Sequence, residues 1–297
     1  MSGKRALVVG ASGQVGRQLV AALGRGRCVT TGRSGRFPGD IQLDLEKVGD
    51  RRELAALALR EAMVDSVYCP AGMTNVERCE AEADLALRIN CVGPAVLAEA
   101  CARLDLPFVY FSTEYIFDGA AGPYCEADRA KPLSAYGQSK WRGEEEILKV
   151  HPHALILRTT VVYGPDPGGR NFLCSLRQAL RDGRPFPVAA DQISTPTYNR
   201  DLAHAAVSLM EAGAAGVFHV CGPERVSRLE FARRAAELMG LDPSPIRGVP
   251  TSALQQRASR PLNAGLSTQK LKLHFPLVRM RSLEQSIPEC MDGADSQ

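Results

Sequence analysis

Two short stretches carry side chains that could do chemistry. Tyr136-Gly-Gln-Ser-Lys140 sets a phenol and an ammonium four residues apart. On a helix, positions i and i+4 share a face, so both groups would meet the same ligand. An ordinary phenol, with a pKa of about 10, is a poor acid at neutral pH. A cation one turn away favours the phenolate and lowers that value. The pair reads as a tyrosine acid tuned by a lysine; the plain alternative is a solvated helix face. A hydroxyl that could hold a substrate oxygen stands upstream, in Val109-Tyr-Phe-Ser-Thr-Glu-Tyr-Ile-Phe-Asp-Gly119, where Ser112 and Thr113 end a strand-like run.

The second stretch is Ala6-Leu-Val-Val-Gly10-Ala-Ser-Gly13-Gln-Val-Gly16, an apolar run followed by G-x-x-G-x-x-G. Gly10 permits a sharp exit from a strand, Gly13 lets backbone approach a pyrophosphate, and Gly16 lets the next helix pack closely on the sheet. That helix starts near Gln14, and its free N–H groups would face the phosphates. Ser12, Gln14 and Val15 complete the turn and are counted with it as cofactor contacts. Val15, Leu19 and Leu23 recur at helical spacing and form the packing face. A tight turn without a ligand is the simpler alternative.

The cofactor can be narrowed further. A second strand ends near Thr31, where a site for NAD usually has an acid for the ribose 2′-hydroxyl. Here the sequence reads Thr30-Thr31-Gly32-Arg33-Ser34. Arg33 and Ser34 can hold a 2′-phosphate, with Arg17 as a second cation, so the site favours NADPH. Asp44 and Leu45 follow a short apolar run and would approach the adenine. Ala71 and Gly72 put small residues where backbone must run beside the cofactor.

The elements needed to position these groups are visible as alternating apolar runs and helical patterns. Strands are expected at 5–9, 27–31, 66–69, 108–112 and 155–159, and helices at 14–24, 51–62, 83–104 and 134–150. This βαβ rhythm predicts an α/β fold: a Rossmann-type doubly wound parallel sheet, with a ligand crevice at the strands' carboxyl ends. The texture changes after Gly164, where Pro165, Pro167, Gly168 and Gly169 make a loop. Shorter pieces follow: helices at 171–182, 200–211 and 227–239 and a strand at 216–220. We therefore expect an NADP-binding core over 1–165. A smaller, mainly helical substrate lobe over 166–297 is interleaved with late core elements. The tail from Asp242 is rich in Pro, Ser and Arg, and 291–297 should fray.

Bulk properties limit the function classes. The chain has 297 residues and a net charge of +3 without a long basic run, which does not point to nucleic acid. No apolar stretch is read as near the roughly 20 residues that span a bilayer, and no signal-peptide core is seen. Nine scattered cysteines without C-x-x-C pairs read as reduced packing residues of a cytoplasmic protein. The five histidines are dispersed, and no metal site is expected.

Taken together, these segments resemble the extended short-chain dehydrogenase/reductase family over nearly the whole chain. Within it they are most similar to the dTDP-4-dehydrorhamnose reductase branch. The resemblance rests on GASGQVG, FSTEYIFDG, GPYCEADRAKPLSAYGQSKWRGE, LRTTVVYGP, DQISTPTYNRDLA and RPLNAGLSTQKL. It implies that Thr113, Tyr136 and Lys140 are the catalytic triad and that Gly10, Gly13 and Gly16 form the phosphate loop. Asn90 matches an asparagine lining the core. Thr195 to Tyr198 and Arg260 resemble substrate-lobe elements, and Thr74, Glu114, Tyr115, Asn171 and Arg260 are the expected substrate contacts. The implied reaction is NADPH-dependent reduction of a 4-keto nucleotide-activated deoxysugar.

Two departures stand out. The family usually has Asp where Glu114 stands, and one extra methylene moves the carboxylate by about 1.5 Å. Met73 and Asn75 also differ from the commonest reductase sequence. Two alternatives stay open: an NAD(P)-dependent sugar-nucleotide epimerase or dehydratase, and a non-catalytic NADP-binding regulator resembling the β subunit of methionine adenosyltransferase. A homodimer is left open.

Overall fold

The apolar runs expected from the sequence are the strands of one central sheet. The structure, a computed structural model, describes residues 4–32 and 41–292. In it β1 (Ala6–Val9), β2 (Cys28–Gly32), β3 (Ile41–Gln42), β4 (Ser66–Cys69), β5 (Phe108–Thr113) and β6 (Leu155–Thr159) are joined by a late strand, Gly216–His219. The order is Gly216–His219, β6, β5, β4, β1, β2, β3. Every pairing in it is parallel. Every residue of β1, β5 and β6 is buried. That follows from a sheet covered on both faces, which leaves no solvent side for polar residues to alternate onto.

Helices α1 (Gln14–Leu23), α2 (Leu45–Val48), α3 (Glu53–Ala62), α4 (Val76–Ala81), α5 (Ala83–Leu87), α6 (Gly93–Arg103) and α7 (Ala135–Val150) follow in the first half. Alternate strand residues face opposite layers. Leu7, Val9 and Val67 pack with Leu59 of α3, Leu97 of α6 and Ile147 of α7. Ala6, Val8 and Tyr68 pack with Leu19 and Leu23 of α1 and Leu202 of the helix Asn199–Glu211. The strand order runs outward from β1 in both directions, so the chain reverses between β1 and β4. Such a switch point is where open α/β sheets bind ligands.

The helix expected over 83–104 is present, but its hydrogen-bond ladder slips through a π-helical turn at Arg88–Val92. By length and composition alone, the helical stretch Ala83–Arg103 could cross a membrane, with 21 residues and a mean hydropathy of 1.4. This corrects the expectation that no stretch came near that length. Ala86, Leu97, Ala98 and Cys101 on this stretch are buried in the protein's own core.

A separate apolar cluster organises the second half, with Tyr163, Tyr198, Phe231 and Ile287 at its centre. Three two-stranded ladders lie there beside the helices Phe172–Arg181, Arg228–Leu238 and Leu283–Asp292. The Pro-rich tail is more ordered than its composition suggested. It contributes the strand Ile246–Val249, paired in parallel with Phe186–Ala189, and a helix that carries Pro288 within it. The fraying expected over 291–297 falls mostly outside the described residues; the helix itself reaches Asp292.

Candidate active site

The glycine turn folds as its residue types require. Gly10 has φ +87°, and a Cβ there would lie 2.8 Å from the Ala71 Cβ. A Cβ on Gly16 would lie 2.2 Å from the Gly10 carbonyl oxygen, so only glycine lets α1 start this close to β1. Gly13 is the N-cap of α1, and no side chain caps this helix. Its first N–H groups are therefore available to an anion. Ser12 is exposed, Gln14 and Val15 are half-buried, and the Arg17 guanidinium is held on the Ser12 carbonyl at 3.1 Å.

Across the switch point, Ala71 and Gly72 leave β4. A Cβ on Gly72 would sit 3.0 Å from Asn90 Oδ1 and 4.0 Å from Lys140 Nζ. The small residues thus keep a path open between the phosphate turn and α7. Asp44 caps α2 by accepting from the Glu46 N–H at 3.2 Å, and Leu45 is buried beside α6. Arg33 and Ser34 lie outside the described residues.

Thr113, Tyr136 and Lys140 converge where β5 ends against the first turns of α7. All three are buried. Ser134 caps α7, accepting from the Gly137 N–H at 3.2 Å, which fixes where the helix begins. A Cβ on Gly137 would lie 2.2 Å from the Tyr115 carbonyl oxygen, so α7 can press closely on the segment after Thr113. The Tyr136 ring meets Tyr115 edge-on, with centroids 5.4 Å apart. Burial, reinforced by the Glu114 carboxylate, pushes the Tyr136 phenol above the usual tyrosine value, and a hydrogen bond with Thr113 pulls partly back.

The unliganded site therefore keeps the phenol protonated. The sequence reading expected Lys140 to acidify it; burial of the phenol itself, with the Glu114 charge beside it, outweighs any such effect. The lysine is desolvated too. Burial brings its ammonium down to about 8. Lys140 Nζ lies 3.8 Å from the centroid of the Tyr110 ring. Among the described residues no carboxylate stands in ion-pair range of it. A buried cation that lies over an aromatic face without an ion-pair partner is suited to take ligand hydroxyls.

Asn90 ties this corner together from the π-helical turn. Its Oδ1 accepts from the Met73 N–H at 2.8 Å, and its Nδ2 donates to the Met73 carbonyl and the Ser139 hydroxyl, both at 3.0 Å. The slipped ladder leaves the Asn90 carbonyl to accept from the Tyr110 hydroxyl at 2.5 Å. Asn90 thus fixes both the loop after β4 and the ring beneath Lys140.

Beyond Thr113 a cleft opens toward the second half, lined by Glu114, Tyr115, Val161, Gln192 and Arg228 among others. Glu114 is buried and takes a hydrogen bond from the Thr113 hydroxyl at 2.9 Å. Burial raises its pKa, and the neighbouring threonine hydroxyls oppose this. Val161 has φ +40°, a strained backbone for a β-branched residue. Arg260 pairs with Glu77 of α4 at 2.8 Å, bridging the two halves. Thr74 is exposed on the loop before α4.

Of the other expected substrate contacts, Asn171 is occupied elsewhere. It caps the helix Phe172–Arg181 through the Cys174 N–H at 3.0 Å and holds the Gly164 carbonyl at 2.9 Å. Arg228 and Gln192 were missed. The available signal was Ser227-Arg228, a cap followed by a cation at the start of a helix. Among the described residues, no cluster of three His, Cys, Asp or Glu side chains could hold a metal ion.

The profile of the family described as RmlD substrate binding domain matches residues 4–295. A dTDP-4-dehydrorhamnose reductase of Mycolicibacterium smegmatis is 33% identical, covering 90% of this chain and 79% of that protein. A probable low-salt glycan biosynthesis reductase of Haloferax volcanii is 32% identical, covering 90% and 91%. The structure of a dTDP-4-dehydrorhamnose reductase from Bacillus anthracis in complex with NADP superposes with a TM-score of 0.88, at 26% identity over 98% of this chain and 99% of that one. The chain belongs to the RmlD substrate-binding-domain family, within the extended short-chain dehydrogenase/reductases.

Proposed function

We propose that this chain is an NADPH-dependent reductase of the 4-keto group of a nucleotide-activated deoxysugar. The observation that carries the reading is the corner itself: a buried protonated phenol, a buried ammonium and a strand-end hydroxyl beside an uncapped glycine turn. The relatives named as reductases of dTDP-keto sugars, and the neighbour solved with NADP, support it.

Bound NADPH supplies the hydride. The N–H groups at the start of α1 hold its diphosphate, and Gly10 and Gly72 leave room for it. The Lys140 ammonium takes the hydroxyls of the nicotinamide ribose, and Arg33 with Ser34 takes the 2′-phosphate. The Thr113 hydroxyl donates to the keto oxygen, turning from Glu114 to do so. Tyr136 gives its proton to the same oxygen as the alkoxide develops. A phenol kept protonated by burial is the correct form for this direction, because the proton must be present before the hydride arrives. Purified protein mixed with NADPH and a panel of nucleotide 4-keto sugars should lose absorbance at the reduced-nicotinamide band. No oxidation with any member would overturn the reading, and faster kinetics of a co-purifying enzyme would then establish the regulatory alternative.

A further inference from the structure

We propose that Tyr110 is a positioning residue for the reaction: its buried ring face, anchored through its hydroxyl, supports the Lys140 ammonium and aims it at the ribose of the cofactor. This rests on the reading of Lys140 as the ribose-binding cation and deepens it. Lys140 Nζ lies 3.8 Å from the centroid of the Tyr110 ring, and that ring is completely buried. The negative face of an aromatic ring attracts a cation, most strongly where water is excluded. Among the described residues no carboxylate pairs with Lys140, and Glu144, one turn along the same helix, is taken by Arg158 and Ser112. The ring face stands where an ion-pair partner would otherwise be.

The sequence explains why the ring stays there. In an α-helical ladder the Asn90 carbonyl would accept from the N–H of residue 94, but residue 94 is a proline in the first turn of α6. The orphaned carbonyl accepts instead from the Tyr110 hydroxyl at 2.5 Å. Burial raises the Tyr110 phenol well above its usual value, so it remains a donor. Gly143 of α7 makes room for this bond: a Cβ there would lie 2.4 Å from the Asn90 oxygen and 2.8 Å from the Tyr110 hydroxyl. At its other end Tyr110 is fixed on β5, paired with Cys69 of β4 and Ile156 of β6. Held at both ends, the ring cannot swing out from under Lys140. A side chain that only filled the core would need neither the hydroxyl bond nor a glycine opposite it.

Cys69 of β4, Cys79 of α4, Cys91 of the π-helical turn and Glu144 of α7 all act on Lys140, with the Tyr110 and Tyr136 phenols beside them. Burial pushes the three thiols up to about 12, 11 and 11 and raises both phenols. These groups stay neutral where Lys140, at about 8, loses its proton, so a titration in that range belongs to the lysine.

The test is NADPH affinity from pH 7 to 9.5, read by cofactor fluorescence on the full chain. It needs no sugar turnover and so fails separately from the reductase reading. Tyr110→Phe keeps the ring face, and the pH at which affinity begins to fall should be nearly unchanged. Ring-fluorinated phenylalanines at the same position keep the volume while weakening the negative face. Each added fluorine should move that midpoint to lower pH. Tyr110→Leu removes the face and should lower it by about half a unit to one and a half units. Affinity well below the midpoint should hold across the fluorinated series, because Lys140 is charged there in every protein. Lys140→Met should show no midpoint to move. A midpoint that stays fixed across the fluorinated series overturns the proposal, whatever happens to stability, since a ring that only packs leaves the lysine titration alone. A shift that persists with Lys140→Met overturns it too, as does an unaltered protein without a midpoint in this range. If Tyr110→Leu does not fold, the fluorinated series decides alone.

Discussion

Arg158 of β6 and Glu144, one turn after Lys140 on the helix that carries Tyr136, form a buried ion pair. Arg158 Nε donates to both Glu144 oxygens, at 3.1 and 3.0 Å, and Nη2 donates to Oε2 at 2.7 Å. The side chains are 4% and 1% exposed, so neither charge has water to fall back on. Ser112 also donates to Glu144, and Arg158 Nη1 donates to the Glu126 carbonyl at 3.2 Å. The pair therefore ties α7 to β5 and β6 one turn below Lys140.

Breaking this pair from one side should be expensive. Arg158→Met leaves the Glu144 charge buried without compensation, at a cost of about 3–5 kcal/mol. The double variant Glu144→Gln with Arg158→Met should recover part of that loss. Urea denaturation of the three proteins measures both effects. A single-variant loss below about 1 kcal/mol would mean that the pair is solvated in solution.

The Tyr136 phenol is predicted to be the proton donor. Tyr136→Phe keeps the ring and its edge-on contact with Tyr115, so NADPH affinity and folding should hold. Turnover should fall by roughly 10²–10⁴-fold, the usual contribution of a positioned general acid. Steady-state assay beside NADPH fluorescence titration checks both halves. A variant retaining more than half of the activity would assign the proton to another group.

Lys140 gives a pH signature. Burial lowers its pKa to about 8, so in the unliganded protein it is charged below that pH and neutral above it. A cofactor that uses the ammonium binds the charged form. NADPH affinity should be full below about pH 8 and fall, by up to roughly tenfold per pH unit, above it. Stability runs the other way. The unfolded lysine keeps its proton to about 10.4, so the unfolded state binds more protons between the two values and the apo fold gains stability as pH rises through that window. Titrations from pH 7 to 9.5 would show the affinity trend, and Lys140→Met should flatten it. An equal slope in the variant would exclude Lys140 as its source.

Arg33 and Ser34 carry the predicted preference for NADPH. If one charge-assisted contact reaches the 2′-phosphate, NADPH should bind about 1–3 kcal/mol more tightly than NADH. Arg33→Ala should remove most of that difference. Equal dissociation constants in the unaltered protein would refute the assignment.

What the sequence made legible was whatever depends on local chemistry. β4 and β6 were expected within a residue of where they lie, because buried parallel strands are continuous apolar runs with abrupt ends. The glycine turn was legible because only glycine tolerates the contacts at positions 10 and 16. The ladder of Phe186–Ala189 with Ile246–Val249 was not, since Pro187 and its neighbours read as loop and the partner lies about sixty residues away. The protonated state of Tyr136 was missed for a related reason. An i, i+4 spacing shows a lysine nearby but not that both groups are dry, and desolvation outweighs the charge. Gln192 and Arg228 line the same cleft as Glu114 but are remote from it in sequence, and the capped helix start at Ser227-Arg228 does not by itself reveal that meeting.

Thr113 separates chemistry from mere binding most cleanly. Its hydroxyl donates to Glu114 at 2.9 Å and accepts from the Tyr115 N–H at 3.2 Å. A protein that only bound a partner could use those bonds as a turn cap and nothing more. A reductase needs the same proton to turn toward a keto oxygen. Thr113→Val keeps β-branching and volume but removes the donor, and it leaves the Tyr115 N–H unpaired at a cap that is worth about 1 kcal/mol. NADPH affinity should therefore be unchanged and stability only slightly lower. In contrast, kcat/KM should fall by about 1–3 kcal/mol, or roughly 5- to 150-fold, with the loss in kcat because the contact strengthens as the alkoxide forms. Glu114→Gln supplies the complementary case, since a neutral amide competes less for the threonine proton; kcat there should hold or rise. Thr113→Val with unaltered kcat/KM would remove the hydroxyl from the reaction and leave it as a cap.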